Sequence, residues 1–315
     1  MHEAIDGGAN RYPGAEAEAL EVRLAQFHSV DAEQVVVGCG SRELLRLAVG
    51  LYAGRAGTVI AASPTFELID RFAQESGARL VSVPLTADHT HDLDAMLARL
   101  DGTAALVYVC NPNNPTGSLT PRKALEAFIE RLPGNAHVLI DEAYHHYVGN
   151  SSEYASFIDR PVDDPRVIVT RSFSTIHGLA AMRIGYAVAS TGTAHALAAR
   201  RLPEGVTTAG ARAAIAALAD GEHVRLNADA NVNQRQEFLN QANARMLKWI
   251  DSQTNFVLLD TLRKASDVVA HFESHGIQIA GPFQSFDRHV RVSIGTPDAM
   301  REFWRVWDIK YKHAM

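Results

Sequence analysis

The feature that most restricts this chain is a series of short apolar runs without polar alternation. QVVVG (34–38), GTVIAAS (57–63), ARLVSVPL (78–85), AALVYVC (104–110), HVLIDEA (137–143) and RVIVTRSF (166–173) are rich in Val, Ile, Leu or Ala. Runs of this kind suit strands buried on both faces of a mainly parallel sheet. Helical patterns lie between them, as in SRELLRLAVGLYAG (41–54) and TFELIDRFAQESG (65–77). Strands alternating with helices predict an α/β fold with right-handed crossovers.

The pattern changes after about Ser190. Residues 194–250 read as mostly helical, including the polar stretch at 224–246. TNFVLLD (254–260), a helix at 265–276, IQIAG (277–281), HVRVSIG (289–295) and a last helix at 297–309 follow. This predicts a smaller α+β C-terminal domain. A chain of 315 residues has room for two domains, here expected at 1–195 and 196–315, with the extreme amino terminus packing on the small domain or a partner subunit.

Composition serves mainly to exclude. Lys and Arg number 30 against 36 Asp and Glu, a net charge of −6 with no basic block, so nucleic acid is not an expected partner. Only two cysteines occur, Cys39 and Cys110, which points to a reducing compartment, the cytoplasm, and away from a disulfide scaffold. The opening MHEAIDGGANRYPG lacks the apolar core of a signal peptide, and no apolar stretch approaches the length of a membrane span. DHTHD (88–92) has metal-binding residue types, but a solvated loop is the expected role and no metal is expected.

In an open parallel sheet, functional groups collect at the carboxyl ends of the strands. Those ends carry GCGSRE (38–43), NPNNPTG (111–117), DEAY (141–144) and RSFSTIHGLAAMRIGY (171–186). Gly38 and Gly40 permit a tight turn into a helix that Ser41 can cap, and a helix amino end attracts anions. By itself this is an ordinary helix cap. Ser172, Ser174 and Arg183 add hydroxyls and a fixed positive charge suited to phosphate. Asp141 ends a buried strand and needs a partner. A structural arginine would serve; so would the protonated ring nitrogen of a cofactor, with Tyr144 and Asn114 on a ring hydroxyl and Phe66 stacked on the ring.

These segments, with NRYPG (10–14), SPTFEL (63–68) and HVRVSIGT (289–296), occur in the order found in fold-type-I pyridoxal-phosphate enzymes. The chain resembles their class I/II aminotransferases, specifically the histidinol-phosphate aminotransferase type, over roughly residues 5–310. The resemblance implies a pyridoxal 5′-phosphate cofactor and transfer of an amino group between an amino acid and a 2-oxo acid. It implies that Asp141 pairs with the pyridine nitrogen, and that Asn114 and Tyr144 contact the 3-hydroxyl. Ser41, Arg42, Ser172, Ser174 and Arg183 would surround the phosphate. Tyr12 would reach the phosphate of a neighbouring subunit, implying a homodimer with shared sites. Arg291 would bind an anionic group of the substrate, most often its carboxylate.

Three departures stand out. The family's Schiff-base lysine follows Ser-x-Ser, and here that position is Thr175, which can neither form that link nor shuttle the α-proton. Lys123, Lys248, Lys264, Lys310 and Lys312 lie outside every motif, and His177 is read as packing rather than as a substitute base. Thr175 is either an introduced replacement that traps a substrate adduct or a natural change with altered or absent catalysis. Cofactor binding is expected to persist with lower affinity. Second, family members begin about thirty residues earlier with a segment that helps close the site, so a more open pocket is expected. Third, histidinol-phosphate enzymes carry Arg where this chain has Ala280, which favours a substrate with a single carboxylate. A catalytically silent binder, or a decarboxylase or cyclase on the same scaffold, are the alternatives.

Overall fold

The structure is a computed structural model that describes residues 10–158 and 164–311. The expected placement of the extreme amino terminus and Lys312 lie outside the described residues. In chain order the elements are α1 (Glu16–His28), β1 (Val35–Cys39), α2 (Ser41–Tyr52), β2 (Thr58–Ser63), α3 (Leu68–Ser76), β3 (Arg79–Pro84), α4 (Leu93–Leu97), β4 (Ala105–Cys110), α5 (Arg122–Arg131), β5 (Ala136–Asp141), β6 (Val167–Ser172) and β7 (Ile184–Ala189). There follow α6 (Thr191–Ala198), α7 (Thr208–Ala219), α8 (Gly221–Ala244), β8 (Lys248–Ile250), β9 (Phe256–Asp260), α9 (Ala265–Glu273), β10 (His289–Ser293) and α10 (Pro297–Tyr311).

Seven strands form one sheet in the order β1-β7-β6-β5-β4-β2-β3. The pairs β2–β3, β2–β4, β4–β5 and β5–β6 are parallel, and β7 runs antiparallel to both its neighbours. The continuous apolar runs are explained by what each face meets. Val35, Val37, Ile60, Val107, Val109, Val138, Ile140 and Val169 enter one core; Val36, Val59, Ala61, Leu106, Leu139 and Ile168 enter the other. Successive strand residues point to opposite faces, so both faces need apolar side chains. Each fully buried Val, Leu or Ile among them contributes roughly 1.5–3 kcal/mol.

A second sheet, β10-β9-β8, is antiparallel and packs with α8, α9 and α10 around Phe238, Val257, Leu259, Phe272, Phe303 and Trp307. The apolar cores divide later than the boundary expected at 195/196. Val206, Ala211 and Ala214 belong to the core of the large sheet, and the small core takes up the chain at Phe238. Helix α7 is nearly all small apolar residues, so it lies flat on α1 and β7. The polar α8 then runs from one body to the other.

Two strands escape the periodicity. β7 reads IGYAVA, and its first residues overlap the RSFSTIHGLAAMRIGY motif, which hides it in what looks like a loop. β8 has three residues, too few to show a period. IQIAG, by contrast, contributes only an isolated bridge, Ala280 to Arg291.

Candidate active site

The parallel strands deliver the motif residues to one edge of the large sheet. Asp141 is the last residue of β5 and Ser172 the last of β6; Cys110 ends β4 and NPNNPTG follows it. Antiparallel β7 is what brings Arg183 to the same edge. Its register sets Gly185 opposite Gly38 and Ile184 opposite Cys39, across the turn into α2. The approach is close enough to demand glycine. A Cβ on Gly185 would lie 2.2 Å from the Ser41 amide nitrogen, and one on Gly40, at φ +74°, would lie 2.2 Å from Arg183 Nη2. Arg183 itself is in the left-handed region, φ 54°, and donates from Nη1 to the Ala180 carbonyl at 2.7 Å.

The result is a cavity of about 340 Å³ lined by Ser41, Arg42, Phe66, Asn114, Asp141, Tyr144, Ser172, Ser174, Thr175 and Arg183, together with Cys110, Ala143 and Ala180. Ten residues expected in the site therefore share one space. Two do not line it. Tyr12 is 85% exposed and stands apart from its own chain's cavity. Arg291, on β10 of the small body, reaches across and donates from Nη1 to Asn114 Oδ1, with its guanidinium 4.9 Å from the centre of the Phe256 ring. That contact leaves the Asn114 amide NH₂ as the group free to donate to a ligand. No lysine lines the cavity among the described residues.

At one end lie the amino terminus of α2, the Ser41, Ser172 and Ser174 hydroxyls and the Arg183 guanidinium, a donor set matched to a phosphate. Ser172 Oγ accepts from the Ser174 amide at 3.0 Å, which fixes the chain at the lip. Arg42 is exposed, 5.8 Å from the Phe66 ring centre. Asp141 closes the floor. It is buried, accepts from Tyr108 Oη at 3.0 Å, the Ala143 amide at 3.2 Å and Thr170 Oγ1 at 3.3 Å, and still borders the cavity. Burial pushes its carboxyl up to about 6. Burial likewise raises the Tyr144 phenol, so it enters the site as a neutral donor. Tyr144 stands edge-on to Phe256, ring centres 5.1 Å apart. Thr175 donates its hydroxyl to the Ala143 carbonyl at 3.1 Å.

Behind the site, Arg171 Nε donates to Glu142 Oε2 at 3.0 Å, both residues buried, and Glu142 also accepts from Ser156 Oγ and the Phe157 amide. Arg171 adjoins Ser172 and Glu142 adjoins Asp141, so this pair ties the two strand ends that carry the site. Sequence reasoning missed Tyr108, Thr170 and Glu142. The first two were visible only as alternate residues on strands read as uniformly apolar.

His145 and His146 do not line this cavity. His145 Nδ1 bonds Tyr154 Oη at 2.9 Å, and His146 packs 5.2 Å from His177, which in turn lies 4.9 Å from Phe173. Burial lowers all three imidazoles, to about 2, 3 and 4. DHTHD is less solvated than expected: His91 is buried against Thr120, and Asp92 caps α4 by accepting from the Ala95 amide at 2.9 Å. Among the described residues no group of side chains is arranged to hold a metal ion, and no helix is long and apolar enough to cross a membrane.

The Asp141 carboxyl has a pH consequence. Its folded value is raised from 3.8 to about 6, so native protein binds the extra proton between those values. The associated stability is present below about pH 4 and lost as pH rises through 6. A two-unit shift corresponds to about 3 kcal/mol. Asp141→Asn is therefore expected to stabilise the ligand-free protein by about 2–3 kcal/mol at pH 8 and by little at pH 4. Urea unfolding at both values measures this; an equal effect at the two would show that burial does not penalise this carboxylate.

Pyridoxal 5′-phosphate fits this donor set at three of its four contacts. The buried carboxylate suits the ring nitrogen, Asn114 and Tyr144 a ring oxygen, and the α2 end with Arg183 the phosphate. The fourth, a lysine for the aldehyde, is replaced by Thr175.

Comparison with known proteins is consistent with this geometry. The family model described as aminotransferase class I and II matches residues 1–306. A histidinol-phosphate aminotransferase of Bacillus velezensis is 34% identical over 303 residues, covering 96% of this chain and 84% of that protein. An aromatic amino acid aminotransferase of Rhodococcus jostii is 37% identical over 289 residues, covering 92% and 79%. The crystal structure of histidinol-phosphate aminotransferase from Sinorhizobium meliloti in complex with pyridoxal-5′-phosphate superposes with a TM-score of 0.88 at 32% identity, over 95% of this chain and 83% of that one.

Proposed function

The chain belongs to the class I and II aminotransferases, and on that premise we propose that it acts on an amino acid with a single carboxylate rather than on a phosphorylated amine, with turnover held low by Thr175. The cofactor is pyridoxal 5′-phosphate. When bound, it supplies an electron sink for electrons released at the substrate α-carbon. The chain's own residues position it. Asp141 would accept a hydrogen bond from the protonated ring nitrogen and keep it protonated, Asn114 and Tyr144 would donate to the 3-oxygen, and Phe66 would cover a ring face. Ser41, Arg42, Ser172, Ser174 and Arg183 hold the phosphate. Arg291 takes the substrate carboxylate.

The observation that carries the substrate reading is the bridge between Ala280 and Arg291, which exchange both backbone hydrogen bonds, at 3.2 and 2.8 Å. Position 280 thus stands beside the carboxylate-binding arginine, where a second guanidinium would hold a substrate phosphate. Alanine places no such charge beside Arg291. The Rhodococcus relative, named for aromatic amino acids, is compatible with this choice.

Two copies are proposed to assemble with Tyr12 completing the phosphate site of the other; its 85% exposure on a single chain supports this.

The substrate reading is tested in the Thr175→Lys background, where turnover can be read. Plain α-amino acids are expected to exceed histidinol phosphate in kcat/KM by at least about tenfold, since a lost charged contact weakens binding by that order. Adding Ala280→Arg should reverse the order. Histidinol phosphate as the best donor without Ala280→Arg would refute the reading.

A further inference from the structure

Thr175 has a defined place in the cavity. It follows Ser174 of the phosphate end, and its hydroxyl reaches the carbonyl of Ala143, the neighbour of Tyr144. A pyridoxal-type ring with its nitrogen at Asp141, its 3-oxygen at Asn114 and Tyr144, and its phosphate arm at Ser41, Ser172 and Arg183 has one ring carbon between the oxygen and the arm. That is C4, and the residue spanning the same two ends of the cavity is Thr175.

The chemistry at C4 then follows from counting hydrogens. Thr175 Oγ1 carries one, and it is donated to the Ala143 carbonyl, which can only accept. A hydroxyl oxygen has two lone pairs, so with its hydrogen engaged Thr175 Oγ1 can still accept. An aldehyde at C4 is itself only an acceptor and finds no donor there. An amine at C4 is a donor, charged at neutral pH, and meets a free lone pair. Among the described residues no lysine ammonium lines the cavity to repel it.

We propose that this chain holds the amine form of the cofactor, pyridoxamine 5′-phosphate, non-covalently and in preference to the aldehyde form. The inference rests on the reading of this cavity as the cofactor site and names which form occupies it. Phosphate contacts from both Arg42 and Arg183 would secure a ligand that no covalent bond retains.

The test uses purified full-length protein freed of ligand, with dissociation constants measured by calorimetry for three probes. These are pyridoxamine 5′-phosphate, pyridoxal 5′-phosphate and 4-deoxypyridoxine 5′-phosphate, whose C4 methyl neither donates nor accepts. The amine is expected to bind about tenfold or more tighter than the other two, the scale of one hydrogen bond from a charged donor. Thr175→Val should bring the amine down to the methyl compound and leave the methyl compound unchanged; Thr175→Ser should retain the preference. An aldehyde bound as tightly as the amine, or a preference that survives Thr175→Val, would overturn the proposal while leaving the cofactor site intact. Failure of all three probes to bind, the methyl compound included, would overturn the cofactor site and this proposal with it.

Discussion

Replacing Thr175 by lysine is expected to raise transamination by about 10²–10⁴-fold, the range supplied by a positioned proton-transfer group. Thr175 lines the same cavity as Asp141, Tyr144 and Arg183, and its hydroxyl already reaches the DEAY backbone at the Ala143 carbonyl. A lysine there gains an amine that can both anchor the cofactor and carry a proton from the substrate α-carbon. Threonine offers a hydroxyl that does not ionise near neutral pH and whose one hydrogen is engaged. The measurement is kcat over a panel of amino donors at saturating cofactor, wild type against Thr175→Lys. No gain with any donor would mean that more than this residue has been lost, and would favour a protein that binds without transaminating.

The second large effect concerns stability. Glu142→Ala is expected to destabilise the protein by about 3–5 kcal/mol, because it strands a buried guanidinium. Arg171 and Glu142 are both buried, 3.0 Å apart, and Glu142 also satisfies Ser156 Oγ and the Phe157 amide. Converting both members together, Glu142→Leu with Arg171→Met, should recover much of that loss, since two apolar groups leave no charge behind. Urea denaturation of the single and double variants decides it. A Glu142→Ala protein within about 1 kcal/mol of wild type would show that water reaches Arg171 and that the pair does not hold the ends of β5 and β6. Cofactor affinity should fall in parallel, because those ends carry Asp141 and Ser172.

How much of this was legible in the sequence depended on whether a residue's role is local. The parallel strands were readable because both faces of β1, β2, β4, β5 and β6 are buried, which makes the apolar signal continuous. The serine-lined end of the cavity was readable at Ser41 and Ser172, which lie where strands end in glycine- and serine-rich turns. What stayed hidden depends on register. Gly185 allows β7 to pass the Ser41 amide, and nothing local to IGYAVA marks that contact 144 residues away in sequence. The Asp141 partners Tyr108 and Thr170 sit mid-strand or near a strand end, where an apolar neighbour masks them. Arg291 stood out in the sequence through the HVRVSIGT motif, but its hold on Asn114 joins the two bodies of the molecule and exists only in three dimensions. The domain division was obscured for a further reason. Helix α7 is so rich in alanine that its pattern does not say which core it serves.

The central claim is that a vitamin B6 phosphate lies in the cavity between Asp141 and Arg183 with its reactive carbon facing position 175. Borohydride treatment of the Thr175→Lys protein with pyridoxal 5′-phosphate, followed by peptide mass analysis, tests it most directly. The expected result is one dominant label, on the peptide carrying the substituted position. A label spread over Lys123, Lys248, Lys264 and Lys310, with none at position 175, would contradict it.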